Sequence, residues 1–95
     1  DFDWEYPASQ GIGCNTISTK SDTANFLSFI QELRRDSLGA TLTPSAATAI
    51  SPFVGADGKP SADVSQFSKL LNHIAIMNYD IWGPWSATVG PNAPL

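Results

Sequence analysis

The sequence opens with DFDWEYP, residues 1–7, in which three carboxylates alternate with three aromatic side chains. Alternation of this kind has the period of an extended strand, where successive side chains point to opposite faces. The pattern predicts a strand with Asp1, Asp3 and Glu5 on one face and the aromatic rings packed against helices on the other. Neighbouring carboxylates would lie roughly 6–7 Å apart, which favours keeping one of them protonated. A carboxyl group in that form can act as a general acid.

Two other interpretations of this stretch stay open on the residues alone. The carboxylates would form a solvated strand edge if only the aromatic face had a structural role. They would bind a divalent cation if further oxygen ligands joined them, but the sequence shows no second cluster of Asp, Glu or Asn to complete such a site.

A loop and an amphipathic helix are expected next. Residues 7–21 are rich in Gly, Ser, Thr and Pro, as loops are. Ser21 or Asp22 is expected to cap a helix with its side-chain oxygen, and Gly39 to end it. The apolar stripe of this helix has three- and four-residue spacing and consists of Phe26, Phe29, Ile30 and Leu33.

Two further strands with a short helix between them complete the pattern. Residues 40–50 are small and uncharged, which predicts a buried strand that starts at or after Pro44. A short helix is expected from Asp63, and IAIMNY, residues 74–79, is typical of another strand. Strands that alternate with helices predict an α/β fold with a parallel sheet and right-handed crossovers.

Composition restricts the possible partners. The chain has 95 residues and a formal net charge of −4, with only five Lys and Arg residues spread along it. Nucleic-acid binding is disfavoured, because phosphate recognition uses clustered basic residues. No apolar run is long enough to span a membrane. Cys14 is the single cysteine, so it either pairs outside this chain or stays free.

Two motifs together resemble family 18 glycoside hydrolases, the chitinases. The family's signature on its fourth barrel strand is D-G-x-D-x-D-W-E-Y-P, and residues 1–7 match it from the second Asp onward. The family's sixth strand carries M-x-Y-D, which Met77, Tyr79 and Asp80 match. The closing VGPNAPL, residues 89–95, resembles the loop that follows this strand in the family. The sequence around it is most similar to that of secreted fungal chitinases.

The resemblance implies a (β/α)8 TIM barrel. It extends over essentially all 95 residues but covers only about strands 4 to 6 of the eight, with the intervening helices. We therefore expect residues 1–95 to be an internal fragment of one family 18 catalytic domain. The chain departs from many relatives at Asn72-His73, where they read Asp-Tyr.

The resemblance also implies catalytic roles in a substrate-assisted retaining mechanism. Glu5 would protonate the glycosidic oxygen and later activate water. Asp3 would orient the substrate's acetamido group, and Asp1 would lie behind Asp3 and share a proton with it. Tyr79 would donate its hydroxyl to the acetamido carbonyl; without the motif, a half-buried packing role would be the better interpretation.

Four residues after these are expected to bind substrate by the same resemblance. Met77 would pack beneath the acetamido methyl group, and Asp80 would hydrogen-bond the sugar. Trp82 and Trp85 would stack on pyranose rings at the face where barrel active sites lie. Either indole would alternatively fold back onto the barrel rim.

The implied function is a secreted chitinase that hydrolyses β-1,4-N-acetylglucosamine linkages. Its partner would be chitin or a chitooligosaccharide, with no cofactor, metal, nucleic acid or membrane, and the protein would be a monomer. One alternative is an endo-β-N-acetylglucosaminidase with the same fold. Another is a chitinase-like lectin that binds sugar without cutting it; such proteins typically lose the acid, whereas Glu5 is present here.

Overall fold

The computed structural model describes residues 1–11 and 13–93. The last two residues of the closing stretch 89–95 therefore lie outside the described residues. The elements in chain order are helix α1 (Asp22–Arg35), a 3-10 turn (Gly39–Thr41), strand β1 (Ser45–Thr48), helix α2 (Ser65–Ser68) and strand β2 (His73–Ile76).

The sheet is parallel, as the alternating pattern predicts. Strands β1 and β2 pair in register from Ser45 opposite His73 to Thr48 opposite Ile76. The opening segment joins the other side of β1 through a parallel bridge between Phe2 and Ala46. The spatial order is therefore opening segment, β1, β2, which is also the order along the chain.

The opening strand is shorter than predicted. The Phe2 amide donates to the Ser45 carbonyl at 2.8 Å, and the Ala47 amide donates to the Phe2 carbonyl at 2.9 Å. Beyond this bridge the chain bends at Glu5 and turns at 7–8. The period-2 pattern therefore applies to the first four residues only. The peptide bond between Glu5 and Tyr6 is cis.

Helix α1 begins where the sequence predicts, but its capping differs. Ser21 occupies the cap position and makes no side-chain cap hydrogen bond. The Asp22 carboxylate instead accepts the Ser18 amide at 2.8 Å and the Ala8 amide at 3.3 Å. Asp22, predicted as a possible cap, therefore holds the two ends of the loop before the helix, at Ala8 and Ser18.

The helix ends earlier than predicted, at Arg35 rather than near Gly39. The Asp36 carboxylate accepts the amides of Leu38 and Gly39, both at 2.9 Å, and this turns the chain away from the helix axis. Gly39 is still required, because a Cβ there would lie 2.0 Å from the Leu33 carbonyl oxygen.

The hydrophobic core lies between α1 and one face of the sheet. Its buried side chains are Phe26, Ile30, Ala46, Phe53, Phe67 and Leu71. The rings of Phe2 and Trp4 pack edge-on against Phe26, with centroids 5.7 and 5.6 Å away. This confirms that these two aromatics form the packing face of the opening segment. Each fully buried side chain of this size stabilises the fold by about 1.5–3 kcal/mol.

Helix α2 and strand β2 are both shorter than predicted. The Asp63 carboxylate accepts the Ser65 amide at 2.8 Å, so regular helix begins only at Ser65. The helix ends after a single turn, at Ser68. Leu71 follows it as a buried residue, and β2 starts at His73. Strand β2 ends at Ile76, although the next amide still donates to β1.

Arg34 fixes α1 to the amino-terminal ends of both strands. Its guanidinium donates to the carbonyls of Leu70 at 2.8 Å and Leu42 at 2.9 Å. A third donation reaches the side-chain oxygen of Asn72 at 2.8 Å. Leu42 precedes β1 and Asn72 precedes β2, so one side chain sets the position of the helix relative to both.

Candidate functional site

The three parallel segments leave the sheet at one edge, which we call the carboxyl edge. It is formed by the residues after Phe2, Thr48 and Ile76. In parallel α/β sheets, sites are built at this edge from the loops that follow the strands. Both predicted motifs of the sequence therefore meet here.

The strand register places the first two carboxylates on the sheet face opposite the helix. Phe2 and Ala46 are paired and both pack towards α1. Their neighbours along each strand must point the other way. The Ser45 hydroxyl accordingly donates to the Asp1 carboxylate at 2.6 Å.

Ser45 is a site residue that sequence reasoning missed. It is 6% exposed, and its hydroxyl partner is the Asp1 carboxylate. The sequence signal was only a polar residue at the start of a strand, SAAT, that carries a second polar residue at Thr48. That signal becomes informative once the register pairs the opening segment with β1.

Strand β2 continues the same face. Ala47 pairs with Ala75, and alternation then places Met77, whose amide still donates to Thr48, on the side of these alanines. Met77 is half-buried, whereas Tyr79 is 51% exposed just beyond the strand. Two small side chains, those of Ala47 and Ala75, therefore lie between the carboxylates and the second motif.

Tyr6 interacts with Glu5, contrary to the prediction that it packs with Phe2 and Trp4 against the helix. Burial raises the pKa of its hydroxyl above the usual 10.0, followed by the charge of Glu5 and a hydrogen bond with it. Tyr79 and Asp3 raise the pKa further through their charges. Because the chain bends at Glu5, strand alternation no longer directs the Tyr6 side chain to the helix.

The loop after β2 holds its two tryptophans differently. The Trp82 indole N–H donates to the Pro91 carbonyl at 3.0 Å, and its ring covers Gly90, where a Cβ would lie 2.5 Å from the ring. Trp85 lies over Gly83 and remains 69% exposed. Trp82 is therefore folded onto its own loop, while Trp85 presents an open aromatic surface.

Asp80 lies between Tyr79 and this loop in a left-handed conformation, with φ of 52°. Its amide donates to the Asn92 side chain at 3.1 Å, so residues 80 and 92 close the loop. The Asp80 side chain is exposed at the carboxyl edge.

Residues 1–11 and 13–93 show neither a metal-binding cluster nor a membrane-spanning helix. Within them, no group of three or more His, Cys, Asp or Glu side chains is arranged to hold a metal ion. No helix in this part of the chain combines the length and apolar character that crossing a membrane requires. Cys14 is exposed and is not in a disulfide with any described residue.

Comparison with known proteins gives consistent matches. The sequence profile of the glycosyl hydrolases family 18 matches residues 1–95. A "chitinase-like effector" of Moniliophthora roreri is 62% identical over 96 residues, covering 100% of this chain and 22% of that protein. "Probable chitinase 2" of Drosophila melanogaster is 36% identical over 100 residues, covering 100% of this chain and 18% of that protein.

A solved structure matches as well. The crystal structure of a chitinase from Rhizomucor miehei superposes with a TM-score of 0.87 at 35% identity, covering 98% of this chain and 25% of that one. The chain thus spans about a quarter or less of the relatives it matches. The family and this match imply a TIM-barrel fold, of which the described residues show a two-stranded parallel sheet and two helices. The chain belongs to the glycosyl hydrolases family 18.

Proposed function

We propose that this chain is part of one catalytic domain of a secreted, monomeric chitinase that hydrolyses β-1,4-N-acetylglucosamine linkages in chitin or chitooligosaccharides. The observation that carries the proposal is Glu5, an exposed carboxyl at the carboxyl edge with Tyr6 beside it. The charges of Tyr79 and Asp3 also raise the pKa of the Tyr6 hydroxyl, which supports assigning both motifs to one site.

The proposed reaction is substrate-assisted and retaining. Glu5 gives its proton to the glycosidic oxygen while the acetamido carbonyl oxygen of the substrate attacks the anomeric carbon. The bond to the leaving sugar breaks and a cyclic oxazolinium ion forms. Glu5 then takes a proton from water, and that water opens the ring on the face from which the leaving group departed.

The remaining roles in the reaction are assigned to residues near Glu5 on the sheet face opposite the helix and just beyond strand β2. Asp3 orients the acetamido N–H and balances the developing positive charge, and Tyr79 binds the acetamido oxygen. Asp1 accepts a hydrogen bond from Ser45 and lies on the same face of the opening segment as Asp3. Met77 forms an apolar floor for the acetamido methyl.

Sugar binding beyond the cleaved linkage is assigned to the carboxyl-edge loop. Asp80 would hydrogen-bond the sugar from the start of this loop. The exposed Trp85 offers a face for pyranose stacking, whereas Trp82, being bonded within the loop, supports the loop's shape.

A second candidate is sugar binding without hydrolysis. Relatives 62% and 52% identical to this chain are named "chitinase-like effector", a name that does not specify hydrolysis. Glu5 favours the enzyme, because a lectin has no need of a proton donor at this position. The endo-β-N-acetylglucosaminidase alternative differs in the substrate it cuts, so the same site is compatible with it.

The test compares hydrolysis of an N-acetylchitooligosaccharide by the full-length protein and by its Glu5→Gln variant. General acid catalysis contributes roughly 10²–10⁴-fold, so kcat should fall by about that factor while sugar binding persists. Glu32→Gln is a matched control, since Glu32 is exposed on α1 and pairs only with Arg35 in the described residues.

Each result separates the candidates. Loss of turnover in Glu5→Gln with wild-type turnover in Glu32→Gln supports the chitinase. Sugar binding without turnover in the wild-type protein contradicts the hydrolase and favours the binding protein. Release of a glycan from a glycoprotein, with intact chitooligosaccharide, favours the endo-β-N-acetylglucosaminidase.

A further inference from the structure

The backbone carbonyl of Glu5 is contacted by two residues of the loop that precedes α1. A Cβ at Gly11 would lie 2.2 Å from the Glu5 carbonyl oxygen and 3.0 Å from its carbon, so the two backbones are in direct contact. The Asn15 side-chain amide donates to the same oxygen at 3.3 Å. Two loop residues thus meet the peptide group that carries the proposed acid.

This loop is itself fixed to the core. The Asp22 carboxylate accepts the amides of Ala8 and Ser18, which lie on either side of Gly11 and Asn15 along the chain. Asp22 is the first residue of α1, and that helix is anchored by side chains that are 5% and 0% exposed. The loop that contacts the Glu5 carbonyl is therefore held to the first residue of α1 at two points, Ala8 and Ser18.

The sheet does not hold Glu5 by itself. The described pairing of the opening segment with β1 is the bridge at Phe2, three residues earlier. Beyond that bridge the chain bends, and Gly11 and Asn15 of the loop contact the Glu5 carbonyl. A general acid must lie within hydrogen-bond reach of the atom it protonates, so its backbone position affects the rate directly.

We propose that Gly11, Asn15 and Asp22 form a clamp that positions Glu5 for proton transfer. The inference rests on the proposed function, because it assigns Glu5 as the acid. The three residues act through the Glu5 backbone and do not touch substrate. They set the distance from the Glu5 carboxyl to the glycosidic oxygen, and they have no direct part in sugar binding.

The experiment measures kcat, KM and the thermal midpoint of the full-length protein with an N-acetylchitooligosaccharide substrate. Asn15→Ala removes one hydrogen bond to the carbonyl and should lower kcat about fivefold. Gly11→Ala forces the Glu5 backbone to move and should lower kcat by about tenfold to a hundredfold. KM should stay at its wild-type value in both variants, because sugar contacts are unchanged.

Gln10→Ala is the matched control. The Gln10 amide donates to the Gly13 carbonyl at 2.7 Å within the same loop and contacts no Glu5 atom in the described bonds. If the clamp exists, Asn15→Ala loses turnover and Gln10→Ala keeps it, with equal thermal midpoints. Should Gly11→Ala fail to fold, the comparison between Asn15 and Gln10 still decides.

Failure of the clamp and failure of the proposed function give different results. Equal kcat in Asn15→Ala and Gln10→Ala, in a wild-type protein that Glu5→Gln inactivates, overturns the clamp alone. A wild-type protein without hydrolysis overturns both.

Discussion

Tyr6 is kept neutral by its surroundings, and its ionisation gives a test at the scale of one residue. Burial raises the pKa of the Tyr6 hydroxyl above its usual 10.0, and the negative charge of Glu5 adds to this. A group whose pKa is raised in the folded protein stabilises that state at pH values below its unfolded pKa. The contribution is lost as pH rises through the raised value.

We therefore expect the stability difference between the wild-type protein and Tyr6→Phe to depend on pH. It should be constant below about pH 9 and shift against the wild type as pH rises above about 10. The measurement is the free energy of unfolding of both full-length proteins from about pH 8 to about pH 11. A difference that stays flat throughout would contradict a raised pKa of the Tyr6 hydroxyl in the folded protein.

Single residues also show where sequence reasoning reached its limit. Alternation correctly placed Asp1 opposite Phe2, because that rule depends only on the backbone of a strand. The same rule failed for Tyr6, because a bend at Glu5 interrupts the period. Ser45 was not predicted, since its partner lies 44 residues away and the register decides the contact.

At the scale of elements, the long helix was predictable and the short ones were not. The apolar stripe of α1 extends over residues 26–33 of a 14-residue helix, whereas α2 has four residues and its start depends on the Asp63 carboxylate. The loop after β2 has no period, so the sequence left open which of Trp82 and Trp85 would fold back. Hydrogen bonding to Pro91 shows that Trp82 does.

The two tryptophans should respond oppositely to substitution. Trp85→Ala removes an open aromatic surface and should weaken chitooligosaccharide binding about tenfold, equivalent to about 1.4 kcal/mol, with little change in thermal midpoint. Trp82→Ala removes a hydrogen bond and packing over Gly90, so it should lower unfolding free energy by about 1–3 kcal/mol. Calorimetric titration and thermal unfolding of the full-length variants measure both effects, and the reverse pattern would contradict the loop structure.

For the whole molecule, the described sheet is exposed at its β2 side. Ile74 and Ile76 are 51% and 60% exposed, and they line an apolar cavity of about 380 Å³ together with Phe67 and Leu71. Open strand edges and uncovered apolar faces are unfavourable in isolation, and a closed barrel removes them. The alternating pattern predicted α/β architecture, but closure of a barrel depends on strands beyond those that residues 1–11 and 13–93 form.

The isolated 95-residue chain should therefore be inactive and should lack a cooperative thermal transition. Far-UV circular dichroism during heating measures this, with the full-length protein as the control. A sharp transition of the isolated chain would contradict the expectation and would mean that the core around Phe26 suffices for independent folding.

The position of Arg34 indicates where the thermal stability of such a protein can be changed by mutation. Its three donations lie at the amino-terminal ends of the strands, where Asp1 and its partner Ser45 also lie, whereas Glu5 and Tyr79 lie at the carboxyl edge. The contacts of Arg34, which stabilise the fold, and Glu5, the proposed acid, therefore lie at different ends of the same sheet. Heat tolerance can be engineered around Arg34 and Asn72, for example with a carboxylate at position 72, without rebuilding the chemistry at the other end.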